Sequence, residues 1–394
     1  MSHTLVAPQP LQRELGSYDA GRQGPTLLIC GGIHGNEPAG VHAARRFLAA
    51  LREQALPIAG RVEAIAGNLG ALAQRQRFLV RDLNRGWGDE RLAGLRGLGH
   101  ERAAAEDLEQ RGMLAVFERA DAHRRGPLVF VDLHTSSGEG APFTCTGDTL
   151  PNRRLAMSLP LPLILGLEET IEGAVLEWFN MRGHAALAIE GGQHDRPESV
   201  DNHEASLWLL LVATGMLPAA RVPNLETWRA RLRASARGAP PVVEIRYRHV
   251  IGPSDGFRMR PGFKTFQAVA RGEQLGTSAD GEVRSPEGGR VLLPLYQPQG
   301  EDGFFLGRDV RPFWLGVARW ARKLRLDRAV RLLPGVRRAK DDPHTLLASQ
   351  RVARWYLVEV FHLLGFRKQR KHGEVLVFSR RFANDQALSL PWRG

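Results

Sequence analysis

Thr26-Leu-Leu-Ile-Cys-Gly-Gly-Ile-His-Gly-Asn-Glu37 decides the fold. An apolar run of strand length ends on paired glycines, and two metal-ligand types, His34 and Glu37, follow three residues apart. This is the pattern of a strand turning into a helix, and Pro38 suits the first helical position. Two more apolar runs repeat it. Leu128-Val-Phe-Val-Asp132 leads to His134, and Ala185-Ala-Leu-Ala-Ile189 leads to Glu190. Three strands that each bring a metal- or proton-handling side chain to their C-terminal end describe an open α/β sheet, which binds ligands along that edge. Two His and one carboxylate, with a fourth position left for water, make a catalytic zinc set. His34, Glu37 and His134 are the predicted ligands.

Working outward, apolar periodicity predicts helices over residues 38–54, 102–124 and 204–217, alternating with strands over 26–30, 62–66, 128–133 and 185–189. Such alternation argues for a mostly parallel sheet with helices on both faces. The reading divides the chain into a catalytic domain (1–217), a linker (218–241) opened by Pro218, a small β-domain (242–306) and a C-terminal extension (307–394). In the β-domain, strands are expected at 242–250, 263–270 and 289–295, and residues 281–291 read as a hairpin. That hairpin looks like a biotinyl/lipoyl type, but its tip offers Glu287-Gly-Gly289 where a carrier needs Lys, so the reading is structural. The extension reads as helices at 313–333 and 345–364, then a short strand at 374–378.

Composition narrows the class. The chain has 394 residues, 43% of them hydrophobic, enough for a large core and more than one domain. Two cysteines, Cys30 and Cys145, cannot build a disulfide framework and suit a reducing, cytoplasmic setting. The N-terminus shows no basic region followed by an apolar stretch, so no signal peptide is read. The longest apolar run, 207–217, is too short to span a bilayer. The net charge of +12 is uneven: residues 307–394 hold 20 Lys+Arg and 7 Asp+Glu, or +13, leaving 12 − 13 = −1 for residues 1–306. Basicity is therefore a property of the extension and says nothing about the His/Glu constellation.

Glu190 has a different task from the three ligands. A carboxylate beside a metal-activated water can accept its proton and pass it to a leaving amine. Gly191 and Gly192 put Glu190 on a turn, which argues against a helix N-terminal acid. Arg81-Asp-Leu-Asn-Arg85 is a third motif: a guanidinium grips a carboxylate through paired hydrogen bonds, and an adjacent Asn adds donors. Spacing alone does not separate Arg75, Arg77 and Arg81. His194 is a candidate pocket residue, and Cys145 reads as a small buried hydrophobe.

His34-Gly-Asn-Glu37, Asp82-Leu-Asn-Arg85, Asp132-Leu-His134 and Ile189-Glu-Gly191 occur in the order seen in the succinylglutamate desuccinylase/aspartoacylase family, which the chain resembles over roughly residues 24–300. The resemblance implies an α/β, zinc carboxypeptidase-like (phosphorylase/hydrolase-like) mixed sheet with flanking helices, a small C-terminal β-domain and a basic helical tail. It implies Zn(2+) at His34, Glu37 and His134, Glu190 as general base and acid, and Asn84 and Arg85 as binders of a substrate carboxylate. It also implies that the β-domain covers the mouth of the site. Family members carry an Arg on the acyl carbonyl at the position matched to Gly70, which leaves Arg77 and Arg182 to supply that charge.

The expected activity is zinc-dependent hydrolysis of the amide bond of a small N-acyl amino acid or related carboxylate-bearing amide. The nearest rival is a zinc carboxypeptidase-type peptidase acting on short peptides. A rival of another class is a catalytically silent protein recruited through its basic tail. In that tail Phe313, Val317, Trp320 and Leu324 recur at helical spacing among Arg and Lys. This fits a helix packed on the body, or an interfacial helix on an anionic surface. No nucleic-acid motif is visible.

Overall fold

The computed structural model describes residues 11–324, 336–338, 345–349, 366–372 and 375–380. In chain order the strands are β1 (Glu14–Asp19), β2 (Arg22–Gly31), β3 (Ala59–Ala66), β4 (Leu128–Ser136), β5 (Phe143–Cys145), β6 (Leu163–Leu165), β7 (Ala185–Gln193), β8 (Val242–Val250), β9 (Arg258–Met259), β10 (Ala268–Val269), β11 (Gln274–Ser278), β12 (Gly281–Arg284), β13 (Gly289–Leu292) and β14 (Asp302–Asp309). Eleven of them form one sheet in the order β1-β3-β2-β4-β7-β5-β6-β8-β14-β13-β10. The β3-β2-β4-β7 block is parallel, β1 runs antiparallel to β3, and β5 runs antiparallel to β7 but parallel to β6, so the sheet is mixed.

The two-residue period of β2 sends its side chains to two cores. Leu27 and Ile29 join Phe47 and Leu51 of the Ala39–Glu53 helix and Trp208 of the Pro197–Ala213 helix. Leu28 and Cys30 face the other way, towards Phe117 of the Ala105–Ala122 helix and Phe179 of the Val175–Met181 helix. Both faces are covered, which is why β4 is buried along its whole length and opens on the apolar run 128–131.

Beyond residue 242, β8, β14, β13 and β10 continue this sheet: β6 pairs with β8, and β8 with β14. Residues 281–291 are not the hairpin that the sequence suggests. β12 pairs with β11 in a separate three-stranded sheet, whereas β13 pairs with β14 and β10. Neighbouring strands in sequence here belong to different sheets, and turn residues cannot reveal that. The Leu225–Ser235 helix lies within the segment read as a linker and buries Leu225 and Leu232 in the first core.

The extension also departs from its helical reading. Pro312–Lys323 is a helix, but β15 (Val336–Arg338), β16 (Thr345–Ser349), β17 (Phe366–His372) and β18 (Val375–Arg380) form a sheet in the order β15-β16-β18-β17. Thr345–Ser349 is thus a strand where a helix was expected, and residues 350–364 of that expectation lie outside the described residues. A five-residue stretch with three apolar residues at its centre fits either period, and pairing on both edges settles it here.

Candidate metal centre and substrate pocket

Four segments meet at the C-terminal edge of the parallel block. After β2 the chain turns through Gly32, whose φ of +73° favours a residue without Cβ, and delivers His34 and Glu37 ahead of the Ala39–Glu53 helix. His134 and Glu190 are register partners on adjacent strands β4 and β7. Asp82 caps the 3₁₀ turn Leu83–Arg85 by accepting from Asn84 N at 2.8 Å, and this turn presents Asn84 and Arg85.

His34, Glu37 and His134 are all buried, with one ligand atom from each lying within 4.8 Å of the others. Glu37 faces both rings: Oε1 is 2.9 Å from His34 Nδ1, and Oε2 is 3.1 Å from His134 Nδ1. The far nitrogens are held by further carboxylates, His34 Nε2 by Asp82 at 3.1 Å and His134 Nε2 by Asp132 at 2.8 Å. This leaves both Nδ1 atoms to face a metal and fixes each ring's orientation, the usual outer support of a histidine ligand. Two imidazoles and a carboxylate, converging in a buried site, fit a divalent zinc ion.

The electrostatics agree with that fit. Burial alone would raise Glu37, but His34 and His134 hold it well below the usual carboxylate range. Burial is likewise overcome at Asp82, held low by Arg77 and His34, and at His134, raised by Asp132 and Glu37. Glu190 goes the other way. Burial, reinforced by the Glu37 and Asp132 charges against the pull of His134 and Arg77, pushes it up to about 8. Its Oε2 is buried without a hydrogen-bond partner. A carboxyl so placed is suited to take and return a proton.

All six sequence-predicted site residues line one cleft of about 950 Å³. Arg77 and His194 line it too, and Cys145 is a buried part of its wall. Among the arginines left open, Arg77 donates to Asp82 at 2.9 Å and 3.2 Å and stands 3.6 Å from Glu37. Arg81 instead pairs with Asp107, and Arg75 caps the Leu69–Gln74 helix. Arg182 lies over the Trp178 ring at 4.0 Å, outside the cleft lining. Gly70 binds Glu109 through its backbone and is not in the lining. Arg77 is therefore the arginine that the fold brings to the His34, Glu37 and His134 cluster.

Residues 293–301, between β13 and β14, together with Asp302 at the start of β14, close the far side like a strap. Gln297 accepts from Asn36 Nδ2 at 2.6 Å and lies 2.9 Å from His194 Nε2. Gln299 accepts from Arg77 N at 3.1 Å. Glu301 and Asp302 approach Arg85 at 3.5 Å and 3.2 Å. Sequence reasoning gave no role to Asp82, Asp132 or this strap. Asp132 had a usable signal: it sits two residues before His134 and so on the same strand face. Gln297 had none.

Residues 23–155 match the succinylglutamate desuccinylase/aspartoacylase catalytic-domain family. The succinylglutamate desuccinylase of Photorhabdus laumondii is 42% identical over 84 residues, 21% of this chain and 25% of that protein. That of Burkholderia pseudomallei is 28% identical over 118 residues, 30% of this chain and 33% of that protein. The matches thus span a quarter to a third of the length of these curated relatives. The crystal structure of a succinylglutamate desuccinylase/aspartoacylase from Rhodobacter sphaeroides superposes with a TM-score of 0.52 at 20% identity, covering 74% of this chain and 86% of that one. That likeness extends the shared fold well beyond the matched sequence. Over residues 23–155, about a third of the chain, the similarity is to the succinylglutamate desuccinylase/aspartoacylase catalytic domain.

Proposed function

We propose that this protein is a zinc-dependent hydrolase that cleaves the amide bond of a small N-acyl amino acid or a related carboxylate-bearing amide. The observation that carries this reading is the convergence of His34, Glu37, His134 and Glu190, from three separate strand ends, in one cleft with Arg77, Asn84 and Arg85. His34, Glu37 and His134 would hold the zinc, which when bound supplies Lewis-acid polarisation of the scissile carbonyl and a more acidic water.

Glu190 accepts the proton released from the attacking water and returns it to the leaving amine. Arg77, fixed by Asp82, sets a permanent positive charge beside the ligands, where it can stabilise charge growing on the acyl oxygen. Arg85 spends Nη1 on Asn84 O and Nη2 on Asp302, and its buried Nε faces Glu301 Oε2 at 3.5 Å, beyond good hydrogen-bond length. A substrate carboxylate anchors at Arg85 by taking the place of the half-exposed Glu301 carboxylate, aided by Asn84. In this reading residues 1–217 do the chemistry, 218–241 connect, 242–306 narrow the mouth through the strap, and the two buried free cysteines fit the cytoplasm.

The test is metal analysis of the purified protein, followed by hydrolysis of a panel of N-acyl amino acids and short peptides by the zinc-loaded form. About one zinc per chain and turnover of N-acyl amino acids are expected. Metal-free protein that cannot be loaded, or turnover confined to peptides, would overturn the proposal.

A further inference from the structure

The Pro312–Lys323 helix leaves the sheet just after β14, whose end is marked by Val310 N donating to Val242 O at 2.9 Å. It packs its small residues inward: Ala318 and Ala321 are buried. Its large apolar residues face outward. Phe313 is 70% exposed, Trp320 61%, Leu324 52% and Trp314 48%. At 100° per residue, Phe313, Trp320 and Leu324 fall within about 40° of one another, so they form a stripe. A helix of a soluble domain buries its large apolar stripe. The inverse arrangement marks a surface that something else covers.

We infer that this helix seats the protein on an anionic lipid surface. Charge identifies the occupant. Residues 307–394 carry 20 Lys+Arg and 7 Asp+Glu, or +13, against −1 for the rest, and the helix sequence itself includes Arg319, Arg322 and Lys323. Arg311 is exposed at its start. Trp and Phe on a short basic helix suit the headgroup boundary, where rings enter the apolar edge and cations meet anionic headgroups. A second copy of the chain fits less well. Twelve residues give a stripe about 18 Å long and ~10 Å wide, or roughly 200 Å², against the ~800 Å² per partner of a stable interface. No described helix is long and apolar enough to cross a membrane, so this one lies along the surface. β14 carries Asp302 at the cleft and Asp309 at its other end, about 23 Å away at ~3.3 Å per residue, so seating leaves the cleft open.

The test uses the full chain and co-sedimentation with vesicles of phosphatidylcholine alone or with about 30 mol% phosphatidylserine. We expect binding to the anionic vesicles only, weakening as salt rises from about 50 to about 500 mM. Phe313→Ser/Trp320→Ser should lose at least about tenfold in vesicle affinity with an unchanged melting temperature. Arg319→Glu/Lys323→Glu should lose binding as well, without touching the apolar stripe. Absence of anionic-vesicle binding overturns the inference, as does binding that survives both variants. A large fall in melting temperature for the apolar variant would show that the chain itself covers the stripe. A dimer of the parent that this variant dissociates would assign the stripe to a second copy.

Discussion

Gly35 stands between the proposed ligands His34 and Glu37, and Gly35→Ala should disable the proposed metal site through geometry alone. A Cβ at this position would lie 2.0 Å from the Ala71 carbonyl carbon, 2.3 Å from its oxygen and 2.4 Å from Leu72 N, all backbone atoms. Ordinary contact begins at 3.4 Å, so 3.4 − 2.0 = 1.4 Å of separation must be found. The Leu69–Gln74 helix is not free to retreat. Asn68 caps it by accepting from Ala71 N at 3.1 Å, Asn68 N donates to Gly32 O at 2.9 Å, and Glu109 holds Gly70 N at 2.9 Å. The ligand loop must move instead, breaking the Gly35 N to Arg77 O hydrogen bond of 3.1 Å. Overpacking of this kind costs about 1–3 kcal/mol in stability, and a ~1 Å misplacement at a reacting centre costs on the order of 10²-fold in rate. The assay is calorimetric zinc titration of chelator-stripped protein, with urea unfolding alongside. Zinc affinity should fall at least tenfold, a change of about 1.4 kcal/mol. Gly94→Ala is the control: it lies exposed inside the Asp89–Gly97 helix with nothing within 4 Å, and should be neutral or gain about 0.5–1 kcal/mol. A Gly35→Ala protein with parental zinc affinity and stability would refute the steric argument.

Removing the carboxylate behind a ligand should be nearly as harmful: Asp132→Ala is expected to lower zinc affinity by about 10- to 100-fold, read by competition with a chelator, because His134 Nε2 loses its 2.8 Å partner. Glu190→Gln should retain zinc and lose on the order of 10²-fold or more in turnover, and near-parental turnover would remove Glu190 from the chemistry. In metal-free protein the folded state keeps the Glu190 proton up to about 8 against an ordinary 4.5, so it binds more protons than the unfolded chain and stability falls as pH rises through that window. His134, raised above its ordinary 6.5, adds a slope of the same sign only above that value, and His203, lowered to about 3, adds one of opposite sign below 6.5 in parent and variant alike; between 4.5 and 6.5 the urea midpoint of Glu190→Gln should therefore rise with pH relative to the parent's. Arg85→Ala and an amide cap on the substrate carboxylate should each reduce kcat/KM, and the two losses should not add, since both delete one contact. Additive losses would place the carboxylate elsewhere.

The sequence by itself determined the strands that carry the site. Thr26–Cys30, Leu128–Leu133 and Ala185–Ile189 are buried on both faces, and such runs stay apolar whatever surrounds them. It also determined which side chains end those strands, and their convergence in one cleft follows from parallel strands ending at a common edge. Tertiary structure decided what links distant segments. The choice of Arg77 over Arg75, Arg81 and Arg182 depends on how the 75–82 loop folds back over Glu37, and every one of these residues is an equally plausible surface cation in sequence. The strap's Gln297 and Gln299 reach residues more than 200 positions away, and a polar loop gives no periodic signal of that reach. Strand pairing decided the rest: Gly281–Arg284 and Gly289–Leu292 went to different sheets, and Thr345–Ser349 became a strand between two others. In these short segments local preference is weak, and the hydrogen bonds and burial offered by partners far along the chain outweigh it.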